Sequence, residues 1–363
     1  MVGKFHPAGR FGPEPDVVWA SSTRPTQAHL FVTALSLSLV TETLPMNPSK
    51  STIPWGALGP WIALALTCLF FTTQSSRFLS GENLSLVLQQ VMVVGVIAIG
   101  QSLVILTAGI DLSCGMVMAL GGVVMTKFAV DYGMNPYLAI VCGLLVTTAA
   151  GLLNGLLVTR MKLPPFIVTL GTLNIAFAIT QIYSEAQTIT NLPPAMTFLG
   201  NTFNMGSTEI SLGTVVMLML YALAWFVLRE TAPGRHLYAV GNNPEAARLT
   251  GISVNKVLLM VYALAGLFYG IAALLSVART GVGDPNAGTT ENLDAITAVV
   301  LGGTSLFGGR GIILGSLVGA VIVGVFRNGL TLMGVASVYQ TLITGVLVIL
   351  AVAADQMSRK GGR

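Results

Sequence analysis

Charge is what this chain has least of. Only 9% of its 363 residues are Asp, Glu, Lys or Arg, against roughly 25% in soluble domains. With 53% hydrophobic residues and a mean hydropathy of +0.79, the chain reads as an integral membrane protein. The net charge of +4 is small, and its Lys and Arg fall in short loops, so the clustered basic face needed for nucleic acid is absent. Cysteine is scarce: Cys68, Cys114 and Cys142 all lie in apolar runs, which excludes a disulfide framework and argues against a metal site. His6, His29 and His236 are scattered, and no HExxH or CxxC occurs, so metalloenzyme chemistry is not indicated. No GxxxxGK[ST] occurs either, so the chain has no P-loop ATPase of its own. No nucleophile–base pair stands out, which weighs against an enzyme.

What is abundant is glycine, 41 residues, suited to close helix–helix approach in lipid. Apolar runs are predicted as spans near 55–74, 83–108, 112–130, 136–158, 166–184, 211–228, 257–277, 293–304, 312–326 and 339–354, most of them near the ~20 residues a bilayer requires. The eighth is too short to cross alone and is predicted as half of a broken helix. Residues 1–45 differ: they carry five prolines and one short apolar run, Leu30 to Val40. They are expected to be a disordered or mis-started extension, with Met46 the natural start, because such a segment buries too little apolar surface to fold. The fold expectation is an all-α polytopic membrane domain over 46–363 with about ten transmembrane elements.

Orientation follows from basic residues in short loops. Arg160 and Lys162, then Arg229, Arg235, Arg248 and Lys256, then Arg359, Lys360 and Arg363 mark cytoplasmic segments, whereas Leu163 to Leu228 hold neither Lys nor Arg. The 185–210 loop is therefore expected outside and both termini in the cytoplasm, with Arg77, Arg279 and Arg327 as single exceptions on the outer side. The order Asp111, Gly121-Gly122, Asn154-Gly155 recurs as Asp294, Gly302-Gly303, Asn328-Gly329. Two inverted repeats of five elements would give such an order, a device of transporters.

The longest cytoplasmic loop, "RETAPGRHLYAVGNNPEAARLTGISVNK" at 229–256, is predicted to hold a short projecting helix. Asn243 suits the N-cap and Pro244 the first helical position. Glu245 favours the positive helix end, and Gly251 is a natural terminator. The segment carries both charge signs, so a partner protein explains it better than a lipid surface.

"GRHLYAVGNNPEAARLTGI" resembles the cytoplasmic coupling segment of permease subunits in bacterial ABC importers of the ribose, xylose and galactose group. "LVILTAGIDLSCG" and "LDAITAVVLGGTSLFGGRGIILGSLVGAVIVGVFRNGL" resemble the same family's membrane motifs, and the resemblance runs over about residues 76–357. It implies a fold like that of the vitamin B12-type importers, a homodimeric permease in the lipid of the cell inner membrane, a cytoplasmic ATPase subunit and a periplasmic sugar-binding protein. ATP and Mg would be used by the ATPase, with no cofactor bound by this chain. Asn243, Pro244, Glu245, Ala246, Arg248 and Gly251 would contact the ATPase or shape the coupling helix. The family's wider superfamily leaves a permease for branched-chain amino acids or another small solute open.

From Asn83 to Thr126 the only formally charged side chain is Asp111. An acid there is a functional candidate, and a secondary transporter using Asp111 as proton carrier is the reading from another class. The absence of a second charge beside it argues against a relay. The preferred reading is a joint: Gly109 ends one helix in a conformation that other residues avoid, and Asp111 caps the next through the amide of Ser113 or Cys114. The joint could also border the solute path. Gln90, Gln101 and Asn174 are candidate pathway residues, with interhelical hydrogen bonding as the plainer account. "ARTGVGDPNAGTTENLDAI" at 279–296 is a polar break, either a gate or a docking surface, in which Glu291 and Asp294 would cap the following element. "LGGTSLFGGRG" at 301–311 lacks P-loop spacing and reads as tight turning and close packing.

Overall fold

The computed structural model describes residues 55–206 and 208–360. The expected N-terminal extension and the start at Met46 lie outside the described residues. Each of the ten apolar runs is a helix. In chain order these are α1 (Trp55–Gln74), α2 (Gly81–Leu106), α3 (Cys114–Val130), α4 (Pro136–Arg160) and α5 (Pro165–Ser184), then α7 (Leu212–Glu230), α10 (Val254–Thr280), α11 (Glu291–Leu301), α12 (Ile313–Leu332) and α13 (Ser337–Lys360). Six of them, α2, α4, α5, α7, α10 and α12, are long and apolar enough to cross a membrane. The protein is a helical, multi-pass membrane protein. At 11 residues, α11 reaches only about 16 Å at ~1.5 Å per residue, half a bilayer core, as a broken helix should.

Local chemistry sets the boundaries. Ser80 caps α2 by accepting from the Asn83 amide at 3.2 Å, and Asn135 caps α4 by accepting from the Tyr137 amide at 3.0 Å, with Pro136 opening that helix. Ser211 caps α7 through the Thr214 amide at 3.2 Å. The segment between α5 and α7 was expected only as an outer loop. It holds a one-turn helix α6 (Pro194–Thr197), a 3-10 turn (Phe198–Gly200) and an antiparallel hairpin, β1 (Thr202–Met205) with β2 (Thr208–Ser211), in register Thr202 opposite Ser211. The described domain is therefore helical with one small hairpin.

The core is built around α2. Its apolar window is 78% buried, against 28% for α4 and for α5, so α2 is the central helix and α4 and α5 turn large side chains outward, among them Leu145, Leu153, Ile175 and Phe177. Helices α7, α10, α11 and α12 pack on α2, and α10 also runs along α3 and α4. Glycine sets the α4–α10 crossing: a Cβ at Gly151 would overlap the Tyr262 carbonyl and stand 3.0 Å from the Gly266 Cα. Buried amides lock helices together where lipid offers no partner. Asn83 and Asn328 exchange two hydrogen bonds at 2.9 and 2.8 Å, joining α2 to α12. Asn154 on α4 accepts from Thr172 at 2.5 Å on α5.

Candidate functional site

Three features carry the sequence-predicted site residues. The first is the 229–256 segment, which folds as two helices rather than one. α9 (Pro244–Leu249) is the predicted short helix: Asn243 Oδ1 accepts from the Glu245 and Ala246 amides at 3.0 Å each, and Glu245 pairs with Arg248 at 3.0 Å. It ends with Gly251 at φ 86°, the Ile252 amide reaching back to the Ala247 carbonyl at 3.1 Å and the Gly251 amide to Arg248 at 3.0 Å. These are the two bonds of a Schellman ending. Ala247 is buried, whereas Leu249 is 83% exposed at the tip.

Before it lies α8 (Ala232–Asn242), which the sequence reading left inside the cytoplasmic loop. The signals were present: Thr231 accepts from the Gly234 amide at 3.4 Å as N-cap, Pro233 falls in the first turn, and Leu237, Val240 and Gly241 form one buried face. Tyr238 donates to the Gly311 carbonyl at 3.0 Å. Burial pushes its phenol above the usual range, so it stays a donor.

The second feature is the joint between α2 and α3. The Ala108 amide donates to Ile105 at 2.9 Å and the Gly109 amide to Val104 at 3.0 Å, another Schellman ending. The left-handed position expected at Gly109 is taken by Ala108, at φ 62°. Gly109 is required for space instead, since a Cβ there would stand 2.9 Å from the Tyr262 hydroxyl. Asp111 is fully buried. Its Oδ1 accepts from the Ser113 amide at 2.8 Å and the Ser113 hydroxyl at 2.6 Å, and its Oδ2 from the Tyr269 hydroxyl at 3.2 Å. Ser113, not Asp111, is the residue before α3, so the acid stands two residues upstream of the N-cap and forms an Asx turn with it. Thr169 accepts from the Leu112 amide and donates to the Ile110 carbonyl, both at 3.1 Å, and Asn154 donates to the Ser113 hydroxyl at 3.1 Å. The joint is thus pinned by α4, α5 and α10. Gln101, also fully buried, meets the same Tyr269 hydroxyl at 3.4 Å.

These two features touch. The glycine-rich loop after α11 turns through Gly303, Gly308, Gly309 and Gly311, all at positive φ. The Gly309 amide donates to the Leu106 carbonyl at 2.9 Å, where α2 ends. A Cβ at Gly241 would overlap that same carbonyl and stand 2.7 Å from the Gly309 nitrogen. The end of α8, the glycine loop and the Asp111 joint are therefore in backbone contact.

The third feature lies at the opposite end of α10 and α12. Asp294 was expected as a cap of α11. It sits inside the first turn and pairs with Arg327 of α12 at 2.6 Å, while Arg327 also donates to Thr290 at 3.1 Å. Its partner lies on another helix, beyond the glycine loop, which made this pairing illegible to a local reading. Glu291 accepts from the Thr290 amide at 3.2 Å. Two cavities open here, of about 230 and 260 Å³. Gln90 lines the first. Asn174 stands apart from both: it is exposed on α5 and donates to the Leu170 carbonyl of its own helix at 2.9 Å.

Residues 83–352 match the family described as "Branched-chain amino acid transport system / permease component". The chain is 47% identical over 307 residues to the fructose import permease protein FrcC of Rhizobium meliloti, covering 83% of this chain and 85% of that protein. It is 39% identical over 301 residues to the ribose import permease protein RbsC of Bacillus subtilis (strain 168), covering 82% and 92%. To the galactose/methyl galactoside import permease protein MglC of Escherichia coli (strain K12) it is 35% identical over 316 residues, covering 82% and 94%. No solved structure matches.

Proposed function

The chain belongs to this permease-component family, on the side of its sugar-import permeases and as a transport component rather than an enzyme, and from that membership we propose that it moves a monosaccharide into the cell as the membrane subunit of an ATP-driven importer. The observation that carries the proposal is 47% identity over most of both chains to a fructose import permease. The family description names branched-chain amino acids, but the relatives at hand are named for fructose, ribose and galactose.

In this reading α9 is the coupling helix. Its capped ends and exposed Leu249, Glu245 and Arg248 suit a groove on a cytoplasmic ATPase subunit, which handles ATP and Mg. A periplasmic binding protein delivers sugar to the outer face, and two permease copies form the pore. The ten helical elements act as ten membrane elements in two inverted repeats, in the manner of the vitamin B12-type importers. The protein sits in the inner membrane with both termini cytoplasmic. Backbone contact between α8, the glycine loop and the Asp111 joint supports a direct mechanical route from the ATPase into the centre of the membrane domain.

The test is uptake by proteoliposomes holding the permease, its ATPase subunit and its binding protein. ATP-dependent uptake of labelled D-fructose, D-ribose or D-galactose, with none of L-leucine, is expected. Uptake that persists without the ATPase subunit and collapses with an uncoupler would establish instead a proton-coupled carrier built on Asp111.

A further inference from the structure

Charged groups set deep in a membrane domain are found facing protein or a water-filled cavity, because lipid cannot solvate them. The cluster at the ends of α10 and α12 is such a case. Arg327 stands about 21 Å along α12 from Ile313 at ~1.5 Å per residue, and Arg279 lies at the last turn of α10. Both are remote from the glycine loop and the coupling segment, hence in the outer part of the membrane. Arg327 is held by Asp294 and Thr290. Arg279 has no hydrogen-bond or ion-pair partner among the described residues, and it is exposed. Its guanidinium carries five donors in a fixed planar fork.

The two cavities share two residues, Arg279 and Glu291, and no others. Glu291 uses one oxygen on the Thr290 amide. A donor fork that faces the charge of Glu291 without a direct hydrogen bond, and an acceptor with one oxygen on the Thr290 amide, therefore stand on the wall between the two cavities. Neutral polar groups surround them: Gln90, Thr331 and Gln340 in the first cavity, Ser276, Asn286 and Thr289 in the second. Val91, Val94 and Val323 supply an apolar side to the first. The ionisable groups lining the two cavities are Arg279, Arg327, Glu291 and Asp284, and Arg327 is already paired with Asp294 behind the wall, so neither sign of charge dominates the lining. Donors and acceptors spread on several sides, with one apolar wall, match a ring that carries hydroxyls around its edge and C–H groups on its face. Volumes of 230 and 260 Å³ fall just under the ~300–1,000 Å³ typical of drug-sized ligands, as a smaller solute requires.

We propose that these cavities form a monosaccharide-binding station in the outer half of the permease, with Arg279 and Glu291 as the hydrogen-bonding wall that the sugar contacts as it passes from one cavity to the other. This rests on the sugar-import reading above. The station lies at the end of α10 opposite the one that follows the coupling helix, so it would receive sugar from outside before the inner joint moves.

Cysteine accessibility tests it. Cys68 and Cys142 are replaced by serine, and fully buried Cys114 is retained. Thr331→Cys and Thr289→Cys then place one thiol in each cavity. The permease–ATPase complex in proteoliposomes, without the binding protein, is treated from outside with a charged thiol reagent. Both thiols are expected to react, and millimolar D-fructose or D-ribose is expected to slow at least one by about threefold, the effect of about two-thirds occupancy, with L-leucine inert. Arg279→Gln should abolish that protection and Arg279→Lys restore part of it. The inference is overturned if neither thiol reacts, if no sugar protects, if L-leucine protects, or if Arg279→Gln protects like the parent. Sugar uptake by the parent complex with its binding protein is measured alongside. Its absence would refute the importer reading itself, whereas its presence without protection would refute only the station.

Discussion

Replacing Gly241 by alanine probes the contact between the end of α8 and the membrane core. A Cβ at this position would overlap the Leu106 carbonyl and stand 2.7 Å from the Gly309 nitrogen. Those two atoms share a hydrogen bond of 2.9 Å, so the methyl group enters the bond itself. Alanine gains about 1 kcal/mol over glycine in helix propensity. Against that, forcing a methyl group into a packed junction costs about 1–3 kcal/mol, and leaving a buried carbonyl and amide unpaired costs about 1–3 kcal/mol more. The net expectation is a destabilisation of about 1–5 kcal/mol, and a central value near 3 kcal/mol corresponds to roughly a hundredfold shift in favour of a separated junction. The surface at Asn243 to Leu249 is untouched, so the ATPase should still dock. We therefore expect co-purification with the ATPase subunit, a lowered thermal midpoint, and sugar uptake per ATP hydrolysed reduced by about tenfold or more. Gly133→Ala is the control: Gly133 is at φ 61° with nothing within 4 Å of a Cβ, so its cost is conformational strain alone, about 1–2 kcal/mol, without uncoupling. A Gly241→Ala protein with the parent's thermal midpoint and uptake per ATP would refute the reasoning.

Asp111→Asn keeps an oxygen for the two Ser113 donors and should retain more than about half of transport, whereas Asp111→Leu strands those donors and the Tyr269 hydroxyl and should lose about 1–3 kcal/mol. Thermal scans and uptake separate the two, and Asp111→Asn folding normally without transport would give the acid a role beyond the joint. Asn328→Leu alone leaves the Asn83 Oδ1 without its donor in the core, while Asn83 keeps its bond to the Phe78 carbonyl, and should cost about 1–3 kcal/mol. The Asn83→Leu, Asn328→Leu double variant should recover part of this, and simple additivity in a double-mutant cycle would contradict a coupled pair. Leu249→Asp should cut ATPase co-purification by about tenfold, as for an exposed apolar anchor, with the permease's thermal midpoint unchanged; undiminished co-purification would move the docking surface elsewhere.

The helices were legible because lipid imposes long apolar runs, and because their ends carry short-range chemistry such as Ser80, Asn135 and Gly251. The short helix α9 was legible for the same reason, from Asn243, Pro244 and Gly251 in one window. Where chain direction depends on contacts far away, the sequence misled. Ala108 holds a left-handed turn because two backbone bonds to Val104 and Ile105 fix it, while Gly109 is glycine for the sake of Tyr262, more than 150 positions away. Helix α8 was left inside the cytoplasmic loop: Pro233 and Gly234 break helices in isolation, yet stand at a helix start here. The Asp294–Arg327 pair and the two cavities depend on which faces of α10, α11 and α12 meet, and no periodicity in one segment encodes that. The hairpin was hidden by its brevity, four residues a strand.

That hairpin makes the topology of the molecule measurable in living cells. Its strands are joined at Gly206, its β1 residues are exposed, and it hangs from Ser211, which caps α7. Lengthening such a turn costs only about 0.6 kcal/mol per doubling of the loop, so an epitope inserted after Gly206 should leave the helices above and below undisturbed. Antibody staining of intact cells would then read which side of the membrane this segment occupies, and with it which ends of α5 and α7 face that side.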